Sequence, residues 1–383
     1  MKRLVSRALL GAGVFALALS APALAQDTVK IGVITDKTGP SKYFSELVLE
    51  GITTGAKEIN DKGGVLGKKV ELLIEDDQTL PELSATKARK LVDSGVVFIL
   101  SITTTPAAMQ SQQVSLASKT PHMMPAGSGD TATTTINNPY FWQMGPLASM
   151  QIATLMSYTK NRKFKRAALI SDNTELSQLF ARIFKQGLEK AGVEVVVEEV
   201  IQRGASTAVP QMQKVRAANP DSIFQASILG PEVVLFFKAY HQLGLKQPIL
   251  GSYNLAIPSY LTTAKDLMDG ATFVDAYDPE KEESKKYVAL WQKEHKQTPG
   301  SMQLYGYDGI HLAVDAIRRA GSLDKEKVRE AMQATTGFKS VLGAKGCTLG
   351  FKDGKRTGFD PNCAVIRIIE KNAHGRVVHV GAQ

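Results

Sequence analysis

Residues 168–180, ALISDNTELSQLF, decide how the chain is divided. The apolar run Ala168–Ile170 reads as a strand, and the polar residues Ser171–Thr174 break it. Phe180 and Phe184, one helical turn apart, then mark a helix. In an open α/β sheet the loop between such a strand and helix is where ligand or chemistry sits. The same rhythm runs upstream. Val29–Thr35, Val70–Ile74, Val96–Leu100 and His122–Pro125 read as strands. Val48, Ile52, Ala56 and Ile59 recur at helical spacing up to Gly63-Gly64, and Pro81 and Pro106 each open a helix. From Ala167 the pattern starts again, with strands expected at Val193–Ile201, Ser222–Ala226, Ile249–Gly251 and Thr272–Val274, and helices at Val233–Leu243 and Tyr260–Met268. Two such series predict an α/β protein of two lobes, each a parallel sheet flanked by helices. The final part is more helical (Lys286–His295, Leu304–Arg319, Lys325–Ala334) and ends in a strand, Ala364–Ile369. No low-complexity linker separates the series, so the chain is expected to cross between lobes through several short segments.

The first residues carry an export signature. Lys2, Arg3 and Arg7 precede the short apolar stretch Ala8–Ser20, and Ala23-Leu24-Ala25 supplies the small residues a signal peptidase reads, so cleavage before Gln26 is expected. The apolar stretch is too short to span a membrane well. The net charge is +9, and six charges remain once those three basic residues leave. The excess is spread: Lys281, Lys285 and Lys286 lie among Glu280, Glu282 and Glu283. Nucleic-acid binding needs clustered basic residues with aromatics between them, and no such cluster is found. The two cysteines, Cys347 and Cys363, are expected to form a disulfide in an exported protein. Asp353-Gly354 between them, flanked by Phe351 and Phe359, predicts a hairpin.

Catalytic signatures are thin. There is no G-x-G-x-x-G after the first strand, no phosphate-binding P-loop, no H-E-x-x-H and no G-x-S-x-G, and the six histidines are scattered and read as surface or helix-face residues. No cofactor or metal is expected. Ser84–Lys87, Ser171-Asp172-Asn173 and Lys37-Thr38-Gly39 match three strings of penicillin-interacting enzymes, but in the wrong order. Asp76-Asp77 reads as a strand end leading into a capped helix rather than a metal site.

The predicted strand ends are instead rich in hydroxyls: Ser101-Ile102-Thr103-Thr104-Thr105 after one strand, Ala126-Gly127-Ser128 after the next. Helix N-termini there would point free N–H groups at a carboxylate or similar anion. Thr105 before Pro106 is expected to cap its helix; Thr103, Thr104 and Ser128 are expected to touch ligand.

These features resemble a known family over nearly the whole exported chain. VKIGVITDKTGP, NDKGGVLGKKVELLIEDDQTLPELSATKARKLV, TTTPAA, MMPAGS and YGYDGIHLAVDAI, in this order and spacing, are similar to periplasmic solute-binding proteins of the branched-chain amino-acid (Leu/Ile/Val-binding) type that serve ABC importers. The resemblance implies the type I periplasmic binding fold: two Rossmann-like lobes joined by three crossovers and closing on ligand. It places the lobes at 26–146 with about 278–345, and at 147–277 with about 346–383. It implies a carboxylate clamp at Thr103, Thr104, Ala126, Gly127 and Ser128, and an aromatic from Tyr43 or Phe44 on the ligand.

From the second lobe it implies Asn173, Thr174, Leu176, Leu229, Tyr253, Asn254 and Tyr277. Here the sequence departs from the amino-acid pattern. Leu176-Ser177 stands where relatives place a Tyr and Gly, and Tyr253 where they place a Glu for the ammonium group. A desolvated ammonium needs a carboxylate, and Leu250–Pro258 has none, although Asp275 could supply one. An organic acid with an apolar or aromatic body is therefore the expected solute, with an amino acid or an amide as alternatives. A periplasmic location, a monomer and a membrane permease as partner are implied, with a sensor for a signalling receptor or a hydrolase as the rival classes.

Overall fold

The computed structural model describes residues 28–127 and 129–382, so the expected export signal and Ser128 lie outside the described residues. The first series is β1 (Val29–Thr35), α1 (Lys42–Asp61), β2 (Val70–Asp76), α2 (Pro81–Asp93), β3 (Phe98–Ile102), α3 (Thr105–Ala117), β4 (His122–Met124) and β5 (Phe141–Gln143). The second is α4 (Ala148–Thr159), β6 (Arg166–Asp172), α5 (Glu175–Lys190), β7 (Glu194–Ile201), α6 (Val209–Ala218), β8 (Ser222–Gln225), α7 (Glu232–Gln242), β9 (Ile249–Gly251), α8 (Pro258–Ala264) and β10 (Thr272–Asp275). The chain continues through α9 (Glu282–His295), α10 (Ser301–Ala320), α11 (Lys325–Gln333), β11 (Val365–Glu370) and β12 (Ala373–Val380).

The first sheet is five-stranded in the order β2-β1-β3-β4-β5, and the second is seven-stranded, β12-β11-β10-β9-β8-β6-β7. Both repeat the doubly wound order, which reverses direction beside the first strand of each series and opens a crevice at the strands' carboxyl ends. The first sheet is parallel throughout. The second is parallel to β10 and then adds the antiparallel strands β11 and β12.

Alternate residues of each strand feed opposite cores, as a sheet covered on both faces requires. Val29, Ile31 and Val33 join the cluster that includes Val48, Ile52 and Ile310 of α1 and α10, while Ile34 packs with Ala88 and Leu91 of α2. Likewise Ala167 and Leu169 meet Phe180 and Phe184 of α5, whereas Ala168 and Ile170 share a core with Met212 of α6 and Phe236 of α7. Helices α1 and α10 lie unusually close. A Cβ on Gly51 would stand 1.9 Å from Gln303 O, and one on Gly306 1.9 Å from Val48 O, so only glycine fits at either position.

Three segments carry the chain between the sheets, at 144–147, 276–281 and in the stretch after α11. The last two are tied together. Gly343 N donates to Ala276 O (2.6 Å), and the buried Lys281 donates from Nζ to Leu342 O (2.6 Å) and Cys347 O (2.7 Å). Cys347 and Cys363 form a disulfide, their Cα atoms 5.8 Å apart. The hairpin expected between them is not a strand ladder. It is a loop closed by Gly350 N to Gly358 O (3.2 Å), and it runs along β5, where Gly358 N donates to Gln143 O (2.9 Å). His122 differs from expectation too: it is fully buried in β4 with its ring edge-on to Phe141, and burial pushes its imidazole down to about 3.

Candidate functional site

Loops at the carboxyl ends of both sheets line one cavity of about 600 Å³. On the first lobe its wall begins with the β1–α1 loop, which contributes Ser41, Tyr43 and Phe44. Buried Asp36 shapes that loop, accepting from Thr38 N (3.1 Å) and Ser41 N (2.7 Å) and from the Thr79 hydroxyl. The start of α3 follows, with Thr103, Thr104, Thr105 and Pro106 all at the cavity. Thr104, not Thr105, is the N-cap, and its side chain makes no capping bond. The N–H groups of the first turn have no intrahelical partner. The Thr103 hydroxyl donates to Asp77 Oδ2 (2.7 Å); burial pushes that carboxyl up. Ala126 and Gly127 complete this wall, and Ser128 lies outside the described residues. Asp76 and Asp77 serve loops: Asp76 Oδ1 accepts from Lys37 N (2.9 Å) and Asp77 Oδ1 from Thr79 N (3.0 Å).

The second lobe contributes two further helix starts. Thr174 caps α5, its hydroxyl accepting from Ser177 N (3.3 Å). Buried Asp172 accepts from Thr174 N (2.8 Å) and Leu229 N (2.8 Å), joining this loop to the one before α7. Thr174, Glu175, Leu176 and Leu179 line the cavity from α5, and Leu229, Gly230 and Pro231 from the start of α7. Tyr253 presents its ring against Phe180 (5.7 Å between centroids). Tyr260 accepts from Gly230 N (2.9 Å), and burial pushes its phenol far up, so at neutral pH its own proton remains available to donate. Tyr43 OH reaches across to Ser259 Oγ (2.5 Å), bridging the two lobes.

The cavity therefore brings together Tyr43, Phe44, Thr103, Thr104, Ala126, Gly127, Thr174, Leu176, Leu229 and Tyr253 as expected from the sequence. Three expected residues are elsewhere. Asn173 Oδ1 is turned to Arg203 N (2.9 Å). Asn254 is buried and bonded to Ser252 and to Ile228 O. Tyr277 is buried beneath the Arg367 guanidinium, 4.9 Å from its ring centroid. Nor does Asp275 reach the cavity: it is fully buried and paired with Arg367 Nη1 (2.9 Å), with Ser301 donating as well.

Arg203, Glu175, Tyr260 and Thr79 were missed. Arg203 follows β7 in a polar loop, and its partner Glu232 (2.8 Å) comes 29 residues later, so no local pattern marks it. It and Glu175 are the charged side chains among the described lining residues. No group of three His, Cys, Asp or Glu among the described residues could hold a metal ion.

Two matched, doubly wound lobes around a shared cleft define a solute-binding protein, and the chain belongs to the periplasmic binding protein family, which it matches over residues 28–357. Proteins of this family bind small solutes and deliver them to ABC permeases, and this chain is a periplasmic binding protein of the ABC-transporter type. It is 25% identical over 341 residues to the leucine-, isoleucine-, valine-, threonine- and alanine-binding protein of Pseudomonas aeruginosa, covering 88% of this chain and 89% of that one. It is also 25% identical over 321 residues to a Leu/Ile/Val-binding protein of Rhizobium johnstonii (84% and 87% covered). Its fold matches a Streptococcus pneumoniae branched-chain amino acid transporter substrate-binding protein in complex with isoleucine (TM-score 0.79, 18% identity, 92% and 100% covered). It matches equally an ABC transporter solute-binding protein of Rhodopseudomonas palustris in complex with 3,4-dihydroxybenzoic acid (TM-score 0.78, 22% identity, 92% and 96% covered). No helix among the described residues is long and apolar enough to cross a membrane.

Proposed function

We propose that this chain is a periplasmic receptor, not an enzyme, that captures a carboxylate-bearing organic acid with an apolar or aromatic body and hands it to a membrane permease. One observation carries the ligand class: the starts of α3, α5 and α7 converge with Arg203 on a cavity whose one acidic lining side chain among the described residues, Glu175, is solvent-exposed. Helix N-termini and a guanidinium favour an anion. Thr104, whose hydroxyl makes no hydrogen bond within the described residues, and the α3 amides hold the carboxylate, while Phe44, Met124, Leu176 and Tyr253 hold the body.

An ammonium group would find Asp36, Asp77, Asp172 and Glu232 outside the cavity lining and already bonded to protein donors, and Asp275 paired with Arg367. An amino acid is the second reading, favoured by what the relatives are named for; it would have to use Glu175. A hydrolase would need Ser84 and Lys87, but Ser84 is fully buried and Lys87 pairs with Glu75 (3.1 Å). The protein acts as a monomer. We take the lobes as 26–146 with about 278–358 and 147–277 with about 359–383, a division supported by Gln143 N donating to Arg356 O (2.8 Å).

A thermal-shift screen of the exported chain tests this, because a ligand of the folded state raises the melting temperature. Benzoate- or cinnamate-type acids should shift it. A shift with leucine and with no organic acid would overturn the reading.

A further inference from the structure

We propose that Arg203 is the receptor for a second anionic group, so that the solute is a dicarboxylate bridging the lobes through an apolar spacer. The proposal rests on the organic-acid reading above and narrows it. Arg203 belongs to an exposed loop, yet its guanidinium is fixed. Nη1 donates to Leu229 O (2.7 Å) and to Glu232 Oε2 (2.8 Å). Its own N–H is held by Asn173 Oδ1 (2.9 Å), and the next, Gly204 N, by Glu232 Oε1 (2.8 Å).

Gly230 makes room for the arrangement: a Cβ there would stand 2.6 Å from Nη1, and its φ of +65° suits glycine. Both bonds of the guanidinium use Nη1 alone. Nε and Nη2 make no hydrogen bond within the described residues, and they form the guanidinium edge that receives a carboxylate through two parallel N–H donors. Arg203 is itself one of the cavity's lining residues, a place that a surface arginine balancing Glu232 alone would not need to occupy. Glu232, 1% exposed, is the reason Arg203 is held and lies behind it, not among the lining residues.

The first-lobe clamp at Thr104 supplies the other end. The same cavity is also lined by the apolar side chains of Phe44, Met124, Leu176, Leu179 and Val234, which offer nothing to a charge. A dianion with a hydrocarbon middle matches a cavity that has an anion site on each lobe and an otherwise apolar lining. It also gives each lobe a charge to hold, so that closure is driven from both sides.

The test is isothermal titration calorimetry of the exported chain with benzene-1,3- and 1,4-dicarboxylate and the C4–C8 aliphatic α,ω-dicarboxylates. Each is compared with its monomethyl ester, which keeps the shape and removes one charge, and leucine is included. At least one diacid should bind tenfold or more tighter than its half-ester. Arg203→Gln should erase that ratio, and Arg203→Lys should restore only part of it. If half-esters bind as well as every diacid, or the ratio survives Arg203→Gln, the second site is refuted while the organic-acid reading stands. If leucine binds and no acid does, both fall. The comparison of diacid with half-ester needs only the wild-type chain, so it holds even if the variants fold poorly.

Discussion

Replacing Arg367 by methionine tests whether Asp275 is a structural charge and not a ligand group. Asp275 is fully buried, with Arg367 Nη1 at 2.9 Å from Oδ2, Ala276 N at 2.7 Å from Oδ1, and the Ser301 hydroxyl also on Oδ1. The variant leaves Oδ2 without a donor among these. Orphaning one member of a buried pair costs about 3–5 kcal/mol. Burial already holds this carboxyl above the usual carboxylate range despite the pull of Arg367, and losing the guanidinium pushes it higher. A raised carboxyl keeps its proton in the folded chain at pH values where the unfolded chain has lost it. Stability from this group is therefore present at low pH and lost as pH rises through the folded pKa. The deficit of Arg367→Met relative to wild type should be larger at pH 7.5 than at pH 4.5, since other titrating groups cancel in the difference. Urea denaturation followed by fluorescence of the buried Trp142 and Trp291 reads it out. Adding Asp275→Asn to the variant should recover part of the loss at pH 7.5. A deficit below about 1 kcal/mol, or one that pH does not change, would refute the reasoning, because a buried unpaired carboxylate cannot be that cheap.

The two clamp threonines should separate. Thr103→Val removes a donor from buried Asp77 and should cost about 1–3 kcal/mol of stability in ligand-free protein, whereas Thr104→Ala should leave the unliganded melting point nearly unchanged and weaken carboxylate binding by about 1–3 kcal/mol in calorimetry. Tyr43→Phe deletes the bridge to Ser259; small-angle scattering of the ligand-free variant should show a larger radius of gyration than wild type, and an unchanged curve would count against that bond holding the lobes together. Replacing both cysteines by serine opens a loop of 16 residues' separation and should lower stability by about 3 kcal/mol in urea, with an unchanged midpoint contradicting the loop-entropy account.

The doubled lobe was legible because hydrophobic periodicity is a local property: β1 and β9 match their expected spans, and Pro81 and the Pro106 turn open helices as proline at a first turn does. Strand β12 was missed because its turn, Lys371-Asn372, has both residues at positive φ without the glycine that would signal it. In the site, the strand-end hydroxyls and Leu176 could be placed from the strand pattern together with the family likeness. Arg203 could not, since what fixes this loop residue is a buried glutamate at the start of α7. Asn254 and Tyr277 show the converse error: they follow strand ends, but β9 and β10 turn them into the core, where Ile228 O and Arg367 claim them.

The ties between the second and third crossovers reduce the number of independent joints in the molecule. Tyr277 and Gly343 form a parallel bridge, Lys281 grips both sides of it, and the disulfide closes the third segment on itself beside Gly343. Three strands of chain therefore behave as two mechanical elements: a single thread at 144–147 and a cross-linked ribbon. A thread and a ribbon permit bending about the line that joins them but resist shearing and twisting, so the lobes are steered to meet in one register. The opposed walls of the cleft can then be matched residue to residue, as Tyr43 and Ser259 are, without searching for each other on every closure.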